Sequence, residues 1–204
     1  MDMYSVVKEN PILAILRNIP LEYTVDYAQA IVDGGISFFE VALKQIAILR
    51  DRFGEKCMIG AGTAISVDLA KAAIGAGAQF LLTPGTPIDV LQYCAKKDIM
   101  LLPGVFTPGD VATSLEFGYK TMKLFPAGCA PKGYLKALKG PYDEANYIAI
   151  GGVTIDNIND YFKEGYMGVG LASNLMPLSV LKDKNWDLGV SYVQKYVSRV
   201  KRRV

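Results

Sequence analysis

The chain has 204 residues, 51% of them hydrophobic and 21% charged, which is enough apolar material for one large core. Its 22 Lys and Arg against 20 Asp and Glu leave a net charge of +2, too even to argue for nucleic acid or an anionic membrane surface as a partner. Histidine is absent, which removes Ser-His-Asp and Cys-His catalysis, His-ligated zinc and imidazole acid–base work; proton transfer falls to carboxylates, lysine, tyrosine or water.

In chain order, Met1-Asp2-Met3-Tyr4-Ser5 is polar and acidic and is not a signal peptide. A rhythm then sets in of a short apolar run, a Gly/Pro/Thr turn and a helical pattern. Strands are predicted at 12–16, 37–43, 57–60, 79–83, 100–102, 121–124, 147–150 and 167–170. Helices are predicted near 22–33, 45–53, 67–75, 88–96, 108–117, 132–138, 155–163 and 187–200. Gly34-Gly35 and Gly75-Ala76-Gly77-Ala78 stand where helix stops are expected. Lys201-Arg202-Arg203 is expected to complement the end of the last helix. No apolar run reaches the ~20 residues that span a bilayer. Cys57, Cys94 and Cys129 are scattered without metal-ligand spacing, which points to reduced thiols in the cytoplasm.

Strand–helix alternation implies a parallel sheet. Roughly eight units fit an α/β single-domain (β/α)8 TIM barrel over residues 1–204, closed by the helix at about 187–200. A doubly wound open sheet is the alternative, but Leu16-Arg17-Asn18-Ile19-Pro20 after the first strand carries none of the glycines of a dinucleotide fingerprint. One junction is out of pattern: the strand at 37–43 meets the next helix with almost no connection, where about 2–6 residues are usual. Either the strand ends early or a loop is missing between Leu43 and Lys44; the second is the expectation carried forward.

In such a barrel the chemistry gathers at the C-terminal ends of the strands. Lys123 lies in the apolar strand before Phe125-Pro126. Either its head reaches water, or burial lowers its pKa and frees a nucleophilic amine. Glu40, within Phe38-Phe39-Glu40-Val41-Ala42, is either half of a structural ion pair with Lys123 or Arg17, or a carboxylic acid with its pKa raised by burial and suited to proton transfer near neutrality. Gly151-Gly152 and Gly170-Leu171-Ala172-Ser173 either make tight turns or hold a phosphate on backbone N–H groups and a helix N-terminus. A lysine nucleophile and a carboxylate proton carrier on facing strands are what a Schiff-base aldolase needs.

Several stretches in order along residues 11–175 carry a resemblance: Ala14-Ile15-Leu16-Arg17, Gly34-Gly35 with Glu40-Val41, Ile59-Gly60-Ala61-Gly62-Thr63, Thr83-Pro84, Pro103-Gly104 with Thr107-Pro108, Met122-Lys123-Leu124-Phe125-Pro126, Gly151-Gly152-Val153, and Gly170 with Ser173. In these the chain resembles the 2-keto-3-deoxy-6-phosphogluconate aldolases, whose relatives include the 6-phosphogalactonate and 4-hydroxy-2-oxoglutarate aldolases. The resemblance implies a lyase that needs no cofactor or metal. It would release pyruvate and glyceraldehyde 3-phosphate from a phosphorylated keto acid, as a cytoplasmic homotrimer.

The same resemblance implies the residue roles. Lys123 would be the Schiff-base lysine and Glu40 the acid–base. Arg17, Thr63, Pro84, Phe125 and Ile150 would contact the substrate, Phe125 also keeping the lysine dry. Gly151, Gly152, Gly170 and Ser173 would hold the phosphate. Two positions depart from the family pattern. Lys44 stands where an arginine or asparagine is usual, and no role passes to it. Ile150 stands where gluconate-type members often have threonine, which leans towards the galactonate epimer.

Overall fold

A computed structural model describes residues 2–201, Lys201 in its backbone only. The side chains of the basic run at 201–203 therefore lie outside the described residues. Nine short parallel strands form one sheet: β1 (Ile12–Ile15), β2 (Phe38–Val41), β3 (Met58–Ala61), β4 (Phe80–Leu82), β5 (Leu101–Leu102), β6 (Gly104–Val105), β7 (Thr121–Leu124), β8 (Asn146–Ile150) and β9 (Gly168–Leu171). Their order is β5-β4-β3-β2-β1-β9-β8-β7-β6. The two ends of the sheet, β5 and β6, are separated in the chain by Pro103 alone, so the ring closes through that residue. Proline has no N–H to give to a ladder, and it parts β5, which lies within the strand expected at 100–102, from β6, which was not expected.

The helices between strands are α2 (Thr24–Asp33), α3 (Leu43–Phe53), α4 (Val67–Gly75), α5 (Ile88–Lys96), α6 (Pro108–Glu116), α7 (Tyr134–Lys139) and α8 (Ile158–Glu164); α10 (Trp186–Lys201) ends the described chain. Two helices go beyond the sequence expectations. The first, α1 (Met3–Glu9), is capped by Asp2, which accepts from Ser5 N–H at 2.8 Å. Met3, Val6 and Val7 follow helical spacing, and all three are buried in the inner cluster with Leu13, Phe38, Phe80, Leu102 and Ile148. The helix thus closes the N-terminal end of the barrel. The second, α9 (Leu178–Asp183), lies between β9 and α10.

The junction at Leu43 needs no missing loop. β2 stops at Val41, Ala42 is extended at ψ 153°, and Leu43 and Lys44 are consecutive residues of α3. Gln45 makes this abrupt start possible: its Oε1 accepts from Ala42 N–H at 3.1 Å, and its Nε2 donates to Ile19 O and Thr24 Oγ1, both at 3.1 Å. An exposed loop is replaced by one buried amide with its hydrogen-bonding groups engaged.

Side chains alternate across the wall. Leu13, Ile15, Phe38, Phe80, Leu82, Leu102, Ile148 and Ile150 fill the lumen, whereas Ala14, Phe39, Ile59, Leu81, Met122 and Val169 pack under the helices. The large inward side chains and α1 fill the N-terminal part of the barrel. Glu40 and Lys123 lie towards its opposite end, whereas the smaller buried Thr121 sits at the start of β7.

Candidate active site

Register decides which side chains meet. Glu40 pairs with Ile15 on β1, and Lys123 pairs with Ile148 on β8. Both partners belong to the inner cluster, so both charged residues face the lumen. Glu40 is 6% exposed and Lys123 5%. No ion pair among the described residues joins them, and Glu40 Oε2 is buried without a hydrogen-bond partner. The reading of Glu40 as half of a closed structural ion pair is therefore not the arrangement found.

Burial acts on the two groups in opposite senses. It pushes the Glu40 carboxyl above the ordinary carboxylate range, against the pull of Lys123 and Arg17. It holds the Lys123 ammonium below the usual lysine value, opposed by Glu40 and assisted by Arg17. The directions favour a neutral amine and a protonated acid; Glu40 lines a cavity, and Lys123 lies buried behind the cavity walls. The Phe125 ring centroid lies 5.3 Å from Lys123 Nζ.

Two cavities open at this end of the barrel. One of about 290 Å³ is lined by Glu40, Gly62, Thr63, Arg17 and Asn18 among others. The other, of about 200 Å³, is lined by Arg17, Phe125, Ile150, Gly151, Gly152, Gly170, Ser173 and Asn174 with their neighbours. Arg17 and Ile15 border both, so the cavities adjoin. Pro84 lines neither. On the face of the sheet that carries Lys123, however, the place of a side chain at its register partner Gly104 is taken by the Thr83–Pro84 backbone, whose Pro84 carbonyl atoms lie 2.5 Å from where a Cβ would stand.

Two features set the geometry around the expected phosphate turns. Gly170 is inside β9, paired with Leu13 and Ile150, and does not belong to the turn after it; its missing Cβ makes room for the Ile150 side chain. The helix expected near 155–163 begins a little later, at Ile158. Asn157 Oδ1 accepts from Thr154 N–H at 2.7 Å and its Nδ2 donates to Gly152 O at 2.9 Å, which holds the segment in a turn until α8 starts at Ile158. What remains is a turn with left-handed Gly151 (φ 91°) and Gly152 (φ 85°), opposite Ser173 and Asn174. Their conformation suits glycine alone at low cost. Asn18, Asn174 and Gly62 line these cavities without having been singled out from the sequence.

Comparison with known proteins agrees with this geometry. The sequence model of the KDPG and KHG aldolases matches residues 3–190. The 2-dehydro-3-deoxy-6-phosphogalactonate aldolase of Escherichia coli (strain K12) is 30% identical over 194 residues, 91% of this chain and 94% of that protein. A 2-dehydro-3-deoxy-phosphogluconate aldolase of Treponema pallidum (strain Nichols) is 31% identical over 162 residues, 76% of this chain and 75% of its own. The crystal structure of KDPG aldolase from Legionella pneumophila, with pyruvate captured at low pH as a covalent carbinolamine intermediate, superposes with a TM-score of 0.86 at 28% identity, covering 93% of this chain and 95% of that one. With a matching barrel and family agreement along nearly the whole length, this chain belongs to the KDPG and KHG aldolase family.

Proposed function

We propose that this protein is a class I aldolase that cleaves a 6-phosphorylated 2-keto-3-deoxy sugar acid to pyruvate and glyceraldehyde 3-phosphate. The observation that carries the reading is the buried, lumen-facing pair Lys123 and Glu40, separate from each other and both displaced towards their neutral forms. Lys123 Nζ attacks the C2 ketone to give a carbinolamine. Glu40, as the acid, protonates its hydroxyl, and water leaves as the iminium forms. Glu40, now a carboxylate, takes the proton of the C4 hydroxyl while the C3–C4 bond breaks to the aldehyde and an enamine. Protonation at C3 and hydrolysis release pyruvate and return the free amine.

In this reading Thr63 and the turn at Pro84 hold the pyruvyl carboxylate. Arg17, bordering both cavities, adds positive charge near the anionic substrate. Phe125 keeps water from the amine. The turn at Gly151-Gly152 and the Ser173 hydroxyl take the phosphate, with Gly170 leaving the room that Ile150 fills. An aliphatic Ile150 on that wall favours the galactonate epimer, because it offers no hydrogen bond that the gluconate epimer would use. No step calls for a cofactor.

The whole chain acts as one barrel domain in the cytoplasm. Its cysteines Cys57, Cys94 and Cys129 are free thiols, and no helix among the described residues is long and apolar enough to cross a membrane. The homotrimer is carried over from the family resemblance; Ile65, Leu69 and Ile88, which are 52%, 42% and 61% exposed around the turns after β3 and β4, are apolar side chains that such an assembly could cover. The test is direct: each phosphorylated epimer is supplied, and pyruvate and glyceraldehyde 3-phosphate are measured. Equal amounts of the two products, formed faster from the galactonate epimer, are expected. Turnover of neither epimer rejects the assignment.

A further inference from the structure

Glycine recurs on the third strand, at Gly60 and Gly62, and the two positions do different things. Gly60 pairs with Glu40 across the ladder, and Gly62, two residues on, faces the same lumen. A side chain at Gly60 would run into the ring of Phe80, which is fully buried in the core. A side chain at Gly62 would instead meet Glu40, with its Cβ 2.7 Å from Glu40 Cδ and 2.9 Å from Cγ and overlapping Oε1.

The backbone at Gly62 does not itself ask for glycine. It is not among the glycines with positive φ, and its N–H donates to Val41 O at 3.2 Å, which ties it to β2. What its missing side chain provides is space for one carboxylate, whose other oxygen has no hydrogen-bond partner in the protein.

We infer that Gly62 is a positioning residue: the gap left by its absent side chain is the seat that holds the Glu40 carboxylate against β3, at its working place relative to Lys123. The inference rests on the reading of Glu40 as proton carrier. A methyl group at this seat moves the carboxylate by roughly an ångström, the difference between the overlapping contacts and ordinary van der Waals separation. A misplacement of that size costs about tenfold to a hundredfold in rate. Glu40 is the end of a flexible side chain, so it yields and the barrel stays folded.

The experiment is a double-mutant cycle of Gly62→Ala and Glu40→Asp in the full-length protein, read by steady-state kinetics and urea unfolding. Gly62→Ala is expected to lower kcat about tenfold to a hundredfold, with KM and the unfolding midpoint close to wild type. Glu40→Asp, whose shorter side chain clears the added methyl, is expected to cost less in the Gly62→Ala background than alone. Wild-type kcat in Gly62→Ala, or strict additivity of the two changes, overturns the proposal. If Gly62→Ala fails to fold, recovery of folding in the double variant supports the seat; failure of both shows that the glycine serves backbone packing and overturns it.

Trapping of pyruvate on Lys123 in the wild-type protein reads the aldolase assignment alone. Should that assignment fail, the seat is still read from the Glu40 carboxyl carbon in ¹³C-glutamate-labelled protein, identified by its loss in Glu40→Gln. Its resonance moves in Gly62→Ala if the carboxylate rests there, and its failure to move refutes the seat.

Discussion

Replacing Glu40 by glutamine separates proton transfer from nucleophilic attack. The change is isosteric, so it leaves no cavity at a site that is 6% exposed. Oε2 already lacks a partner, and an amide nitrogen there leaves a buried NH2 group without acceptors, a cost of about 1–3 kcal/mol. Removing a carboxyl whose charged form is penalised by burial offsets part of this, and the melting temperature is expected to move by only a few degrees. Catalysis suffers far more. Loss of a general acid–base costs about 10²- to 10⁴-fold in kcat, or roughly 3–5 kcal/mol.

The amine itself survives in this variant, so adduct formation with pyruvate and borohydride continues slowly. Its pH dependence carries a sign. Glu40 raises the Lys123 pKa, whereas burial and Arg17 lower it, so deleting the carboxylate leaves only lowering influences. Because only the ionised carboxylate exerts this pull and burial favours its protonated form, the pH midpoint for trapping, followed by intact mass, is expected to lie at or below that of wild type. A Glu40→Gln enzyme with kcat within threefold of wild type refutes the proton-carrier role. A midpoint that moves upward refutes the electrostatic account of the pair.

Ser173→Ala is expected to raise KM for the phosphorylated substrate about tenfold, the worth of one hydrogen bond to a charged group, while pyruvate trapping is unchanged; equal loss in both assays removes Ser173 from the phosphate site. Val7→Ala removes two buried methyl groups from the helix that closes the far end of the barrel, a loss of about 2–3 kcal/mol with the cavity included. Urea unfolding measures that loss, and kcat at a temperature where the variant stays folded is expected to equal wild type. A fall in kcat there shows that the plug and the site are coupled.

Much of the barrel was legible because the signals are local. Apolar runs, turn glycines and helix periodicity sit in consecutive residues, and Lys123 and Glu40 declare themselves as charges inside apolar strands. What escaped depends on partners distant in sequence. The helix at Met3–Glu9 was hidden by polar neighbours, and its Met3, Val6 and Val7 stripe has meaning only as a plug for the lumen. Pro103 parts β5 from β6 where the ring closes. The abrupt start at Leu43 depends on Gln45 reaching Ile19 and Thr24, more than 20 residues away. Gly170 fell inside its expected strand, but the Ile150 side chain that fills its gap became visible only through register. Gly62 gave no signal of its own, since the carboxylate it accommodates belongs to the neighbouring strand.

The central claim is that a buried, uncharged Lys123 forms an imine with a keto acid. Incubation with pyruvate and borohydride, followed by intact-mass measurement and peptide mapping, tests it most directly. One covalent adduct per chain, located on Lys123 and absent in Lys123→Ala with the fold retained, is the predicted result. Absence of any adduct, its location on another lysine, or normal turnover by Lys123→Ala would contradict the account.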